Sequence, residues 1–445
     1  MVRRSAVREA ALPFSENDVQ TLSERLDEPE WLREARLAAW AECEALPMPT
    51  LSDEAWRRTD IRGLRWEERG TLAAPKTAKL DDVPADLRAP LIGDVQGGLI
   101  VHVDGMLVHA EVNDELTGKG VIFTALATAA REHADLVKEY LHRQPPPPDS
   151  EKLAAAHAAL WTHGVFLYVP RGVQLELPLH SIDYAPGDDT TLSHILVVLE
   201  EGASATYLHE MASPTHDDEQ TLHVGATELF VGDGANLNYV ALQDWGDHVY
   251  DFTTQRASVG RDGQLDWIVG TLGTRLTKAF IDLDLNGQGA WGRMSGLYFT
   301  HDRQHLDLDT QQNHNAQNTT SDLLFKGALR DDSRSVWQGM ILVQPGAQKT
   351  DGFQANRNLV LDNNARADSI PGLEIEADDV RCTHAATVGR MDDEQMFYLH
   401  TRGLPKEDAV RLIVNGFFQP IMERIPFEGV RERLQASIDA NIAAL

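Results

Sequence analysis

Gly232-Asp233-Gly234-Ala235, Gly260-Arg261-Asp262-Gly263 and Gly287-Gln288-Gly289-Ala290 are turn-forming tetrads that recur about every thirty residues. Between them the period is two. Asn236-Leu237-Asn238-Tyr239-Val240-Ala241 alternates polar with apolar residues, as does Ala205-Thr206-Tyr207-Leu208-His209 one interval earlier. Glu201-Gly202-Ala203 precedes the series, and Gln344-Pro345-Gly346-Ala347 and Asp362-Asn363-Asn364-Ala365 continue it. Self-similarity on this scale marks stacked units that each bury one face only against their neighbours. The pattern predicts a mainly β chain built on a parallel β-helix. Hairpin turns would use the same Gly and Asp residues, so an up-and-down sandwich stays open at this point.

Outward from this core the period changes to 3.6. Val19, Leu22 and Leu26 form one helical stripe behind a capping box at Ser15 and Asp18, and Pro29 separates it from a second stripe through Trp31, Leu32, Ala35, Ala39 and Cys43. Cys43 reads as a small buried apolar residue of that stripe. A strand at Gly98 to Val103 and a helix around Ala125 to Leu141 lead to the proline run Pro145 to Pro148, a stiff connector. Beyond Gly389, Asp392 and Gln395 have capping spacing, Gly403 suits a C-cap, and Val410, Ile413, Val414 and Phe417 begin the stripes of a last helical unit. The expected domains are 1–75 helical, 76–148 mixed α/β, 149–388 β-helix and 389–445 helical. Phe417, Phe418, Ile421 and Met422 lie close together in the last domain, either as its core or as a face for a partner; we carry them forward as the candidate partner face.

Composition narrows function. The 445 residues carry 40 Lys and Arg against 69 Asp and Glu, a net charge of −29, and no basic patch interrupts it. Such a surface repels phosphate backbones and anionic lipid, so neither nucleic acid nor membrane is an expected partner. Two cysteines far apart make no disulfide framework, and Met1 to Ser5 is followed by charged residues rather than an apolar segment, so a cytoplasmic protein is expected. There is no GxxxxGK[ST], GxSxG or HExxH, which leaves no expected ATPase, esterase-type or zinc-protease activity; the chain is read as a non-enzyme.

Seventeen histidines invite a metal reading, and spacing decides among them. His301, His305, Asp307 and Asp309 would share a strand face, which alternation with Leu306 and Leu308 makes the polar outer face of a half-buried strand. His209, His216 and His223 cross an acidic loop and are assigned to the surface. The segment Asp378-Asp379-Val380-Arg381-Cys382-Thr383-His384 is more informative: thiol and imidazole stand two apart, on one face if it is a strand, and that donor pair suits iron-sulfur chemistry, zinc or copper. Cys382 and His384 are the candidate metal residues, with a second chain needed to complete the site.

The run from Ala367-Asp368-Ser369-Ile370-Pro371-Gly372 through Cys382-Thr383-His384-Ala385-Ala386-Thr387-Val388-Gly389, followed by Phe397-Tyr398-Leu399 and Arg402-Gly403, resembles the C-terminal signature of the SufB/SufD family. Trp56-Arg57-Arg58-Thr59 and Val169-Pro170-Arg171-Gly172-Val173 extend the resemblance over most of the chain. It implies a right-handed parallel β-helix between helical domains, and a scaffold role in iron-sulfur cluster assembly. The partners implied are a SufB-like scaffold subunit and a SufC-like ABC ATPase docked on the C-terminal domain, with transient iron or a nascent cluster held at the subunit interface. Reduced flavin is a further cofactor associated with the family. Asn356 occupies the position of the SufB cysteine thought to receive sulfur, while Cys382 two residues before His384 matches the SufD pattern; Ala385 stands where SufD sequences often have Gly. Two alternatives remain: a SufB-like homodimeric scaffold, and a β-helix lyase acting on acidic polysaccharide.

Overall fold

The computed structural model describes residues 11–73, 77–91, 96–147, 149–216 and 219–443. The readings of Met1 to Ser5 and of Pro148 lie outside these residues. The sandwich alternative is excluded by strand order: from His163 onward strands alternate between two sheets, and every pairing among these strands is parallel. The result is a flattened β-solenoid of about eight turns. Each turn contributes one strand to a ten-stranded sheet that ends in Arg381–Arg390 and one to a nine-stranded sheet that ends in Arg366–Ile375.

The recurring tetrads are what turns the chain at one corner. Gly202, Gly234, Asp262, Gly289, Asn318 and Lys349 all have φ between +55° and +76°, a conformation that Gly adopts freely and Asp or Asn tolerate. Turning the peptide this way aims the amide along the solenoid axis. The N–H of Gly202 donates to the Asp233 carbonyl, that of Gly234 to Arg261, of Asp262 to Gln288, of Gly289 to Gln317 and of Asn318 to Gln348, at 2.7–3.1 Å. A ladder of turn amides therefore continues the sheets around the corner.

Alternation fills the lumen. Leu179, Tyr207, Tyr239, Trp267, Met294 and Leu323 stand in register in successive turns, all inward and fully or almost fully buried. The two ends of the solenoid differ. At the N-terminal end, the antiparallel strands Met106–Val112 and Ile122–Ala125 close the two sheets. The outer face there is covered by the helices Glu16–Arg25, Glu30–Ala45 and Glu151–Leu160. The predicted capping box at Ser15 and Asp18 is present, Pro29 starts the second helix, and Cys43 is buried in its stripe. Arg36 locks this layer: it is fully buried, pairs with Glu28 through two bonds of 2.6 and 2.8 Å, and donates to the carbonyls of Ala159 and Trp161.

Helices Asp393–Thr401, Lys406–Met422 and Glu428–Ala443 follow the last strand. They do not stand apart. Val410, Val414, Phe418, Ile421, Ile425 and Ile438 share one core with Leu242, Ile268, Leu297 and Phe299 of the solenoid's outer face. Among the described residues, no helix is long and apolar enough to cross a membrane.

Candidate functional site at the open end of the solenoid

Among the described residues, nothing covers the last turn. Residues of Arg366–Ile375 and Arg381–Arg390 are exposed or half-buried where the equivalent residues of inner strands are mostly buried, and Ile375 and Val388 are 41% and 48% exposed. Each strand is ten residues long and presents a row of unpaired backbone N–H and C=O groups. Edges of this length are templates for pairing with another chain, which monomeric proteins normally blunt with short strands, charges or covers.

The lumen changes character as it nears this end. The apolar column ends at Leu323, and the next two residues in register are Gln354 and His384. Beside it, Phe325 is followed by Asn356 and Ala386, and Gly327 by Asn358 and Val388. Tyr298, Asn356 and Asn358 bond one another: Tyr298 donates to Asn358 Oδ1 at 2.5 Å, Asn358 to Asn356 Oδ1 at 2.6 Å and Asn356 to the Tyr298 hydroxyl at 3.2 Å, while Gln354 donates to the Gly372 carbonyl at 2.8 Å and leaves its Oε1 without a partner. Asn356 is fully buried one turn below Ala386, so no thiol occupies that position.

Cys382 and His384 lie on the same inward face of the last strand, as the alternation of a strand requires. Cys382 is half-buried against the cluster of Ile341, Val343 and Ala347. Burial pushes its thiol pKa up, with Asp351 adding to the rise against the opposing Gly352 amide, so it stands as a neutral thiol at pH 7. His384 is exposed. Gly352 lies below Cys382, and a Cβ there would stand 3.2 Å from Cys382 Sγ and 3.4 Å from His314 Nε2. The glycine thus leaves thiol and imidazole facing each other across an empty side-chain position. His314 was missed in the sequence; its inward parity, one turn before Gly352, is the signal that would have found it. It is buried, bonded to Thr319 and Ser321 at 2.8 and 2.9 Å, and desolvation pushes its pKa down to about 4.

Three sequence readings need correction. Phe418, Ile421 and Met422 are buried and Phe417 is partly buried, packed in the core between the C-terminal helices and the solenoid; Lys326 donates to the Phe417 carbonyl at 2.6 Å. They are not a partner face, because a helix lying along a sheet turns its apolar stripe onto that sheet. Among the described residues, the large apolar side chains this domain leaves exposed are Phe397, Tyr398 and Leu412, at 70%, 56% and 55%. His209 and His223 are not at the surface: both are buried and paired, with Asp183 at 3.0 Å and Asp251 at 2.7 Å. Burial would raise Asp183, but His163, His102 and His209 around it hold its carboxyl well below the usual range. Finally, Asp307 and Asp309 do lie on an outer strand face, but little solvent reaches it, Asp307 being fully buried and Asp309 18% exposed. The segment carrying Trp56 and Thr59 covers them: the Thr59 hydroxyl bonds to Asp307 and lies 2.9 Å from His305 Nε2, while the buried Lys278 reaches Asp307 at 3.1 Å, Asp309 at 2.9 Å and the Ala55 carbonyl at 2.8 Å.

The fold and this end of it define a class: a β-solenoid with one end closed by antiparallel strands and one end whose long edges are left uncovered by the described residues. Comparison with known sequences gives the same class a name. Residues 183–417 match the family model described as SUF system FeS cluster assembly, SufBD core domain, and residues 17–180 match that of the SufBD protein N-terminal region. The sequence is 33% identical over 437 residues to the iron-sulfur cluster assembly protein SufD of Bacillus subtilis, covering 97% of this chain and 98% of that one. It is 29% identical over 430 residues to SufBD family proteins of Staphylococcus haemolyticus and Staphylococcus saprophyticus, covering 93% of this chain and 90% of each relative. The chain belongs to the SufB/SufD family of iron-sulfur cluster assembly proteins, and within it goes with SufD, the side implied by Cys382 two residues before His384. The polysaccharide-lyase alternative falls with that assignment.

Proposed function

We propose that the chain is a non-catalytic scaffold subunit of a cytoplasmic iron-sulfur cluster assembly complex. Its open end pairs with the β-solenoid of a SufB-type subunit, its C-terminal domain docks a SufC-type ABC ATPase, and iron or a nascent cluster forms at the shared interface with His384 as ligand and Cys382 assisting. The observation that carries this reading is the uncovered last turn, where two ten-residue edges surround a polar lumen floor bearing both donors. Strand addition supplies main-chain hydrogen bonds along both edges, and burial of Ile375 and Val388 adds apolar contact. An imidazole and a thiol are donors suited to iron. Two donors leave a cluster incomplete, so the chain alone should hold no stable one. The ATPase surface is assigned to Phe397, Tyr398 and Leu412, the apolar side chains this domain leaves in solvent.

The test is co-purification with a SufB-type and a SufC-type subunit under anaerobic conditions, measuring iron per complex and melting temperature together. His384→Ala should leave assembly and melting unchanged, since its side chain is exposed in the free chain, while iron or cluster content falls severalfold. Cys382→Ser should be milder. Normal iron in the His384→Ala complex would refute the ligand role. Self-pairing is the second reading, because the same open edges can meet a second copy. Light scattering of the chain alone tests it: a dimer that persists when the SufB-type subunit is added in excess would favour the homodimeric scaffold.

A further inference from the structure

A second group of metal-ligating side chains lies at the other end of the solenoid. His194 and Glu228 project from the neighbouring strands Thr191–Leu199 and Thr221–Val231, onto the outer face that the connector crosses. His194 Nε2 is 3.1 Å from Glu228 Oε2, which also accepts the His142 backbone amide at 2.8 Å. Glu228 Oε1 holds only a long bond of 3.3 Å from the Gln144 amide and so keeps lone pairs free. His142 turns the connector with a φ of +55°, and this brings its ring edge-on to that of His194, with centroids 5.0 Å apart. One ligand atom each from His142, His194 and Glu228 lies within 4.8 Å of the other two. His157 packs its ring 5.2 Å from His194, but its Nε2 is taken by the Ser193 carbonyl, which makes it a positioning residue.

These groups border a cavity of about 550 Å³ that Gln144, Arg256 and Trp31 also line. Its polar wall is incompletely paired: His194 Nδ1 and both side-chain polar atoms of Gln144 are buried without a hydrogen-bond partner. Buried polar atoms left unpaired are costly and are normally satisfied by a partner or a bound group. If Glu228 served only to cap the connector amides, neither two imidazoles at its side nor an open cavity beyond them would be required.

We propose that this pocket binds one first-row divalent transition metal, with His142, His194 and Glu228 as protein ligands and the remaining positions open to the cavity. Two imidazole nitrogens and one carboxylate are a donor set for Fe²⁺ or Zn²⁺. Metal–ligand bonds of about 2.0–2.2 Å set ligand atoms roughly 3–3.5 Å apart, a spacing that His194 Nε2 and Glu228 Oε2 already have at 3.1 Å, so it is His142 that must draw closer. His142 is the ligand free to do this, since it sits on the connector rather than in the sheet and faces the cavity. Gln144 is placed to bond a water or small ligand in an open position.

The experiment uses the full chain carrying Cys382→Ser and His384→Ala, so that the donors of the open end cannot contribute. Titration with Fe²⁺ under anaerobic conditions, and separately with Zn²⁺, should give one equivalent bound, and X-ray absorption should show nitrogen and oxygen neighbours with no sulfur. His142→Ala should fold normally and weaken binding at least tenfold. Glu228→Gln should do the same, read beside its thermal melt because it also caps the connector. Failure of both metals to bind, or binding undiminished by His142→Ala, would overturn the assignment. Neither result bears on the role of His384, which is absent from the protein tested.

Discussion

Lys278→Met tests how the N-terminal segment is fastened to the solenoid. In the native chain the Lys278 ammonium is fully buried and meets Asp309, Asp307 and the Ala55 carbonyl at 2.8–3.1 Å. Methionine matches the stem in volume and shape, so the cavity term is small. What changes is charge: Asp307, itself fully buried, keeps the Thr59 hydroxyl as partner, and the Ala55 carbonyl loses one. Breaking one side of a buried ion pair costs about 3–5 kcal/mol. The cost must depend on pH. Burial outweighs the pull of Lys278 and already raises Asp309 to about 6; without the ammonium, it rises further. A carboxyl whose folded pKa exceeds its unfolded value of about 3.9 binds more protons in the native state than in the unfolded one, so its contribution to stability falls as pH rises between the two values. The gap between variant and native protein should therefore be about 3–5 kcal/mol at pH 8 and clearly smaller at pH 5. Urea denaturation at the two pH values, followed by tryptophan fluorescence, measures it; Trp56 lies 5.8 Å from the ammonium and reports locally. Adding Asp307→Asn and Asp309→Asn should recover much of the loss. A cost below about 1 kcal/mol at pH 8, or an equal cost at both pH values, would refute the reasoning.

Phe418→Ala should destabilise the chain by about 3–5 kcal/mol in the same assay, whereas Phe397→Ala with Tyr398→Ala should leave stability nearly unchanged and weaken capture of a SufC-type ATPase in a pull-down; the reverse pattern would return the partner face to the Phe418 side. His314 is neutral in the fold, with a pKa of about 4 against 6.5 unfolded. The unfolded chain therefore binds the extra proton between these values, and the contribution of His314 is present above pH 6.5 and lost by about 2 kcal/mol on reaching pH 5. His314→Gln should flatten the stability-against-pH curve over that window, and an unchanged slope would contradict it. Gly287→Ala places a Cβ 1.9 Å from the Arg261 backbone nitrogen and should cost about 3 kcal/mol or more. Gly234→Ala meets open space at a φ of +63° and should cost only about 1 kcal/mol; equal melting temperatures for the two would be the disproof.

By itself the sequence determined the strands and corners of the solenoid, because that information is local: the turn tetrads fix positive φ at one corner and period-two alternation fixes which residues face inward, while the parallel stacking that excludes a sandwich came from the strand order. The capping box at Ser15, the break at Pro29 and the shared face of Cys382 and His384 are legible for the same reason. What local pattern could not decide is which second surface each residue meets. Phe418 and Ile421 read equally as core or docking stripe until the helices are seen lying on the solenoid. The face carrying Asp307 and Asp309 reads as solvated until Trp56 and Thr59, some 250 residues earlier, close over it. His142, His194 and Glu228 show no motif spacing, since turns of the solenoid place residues some thirty or more positions apart side by side. Only the stacking of turns brings such residues together, and only the absence of a further turn among the described residues leaves His384 exposed.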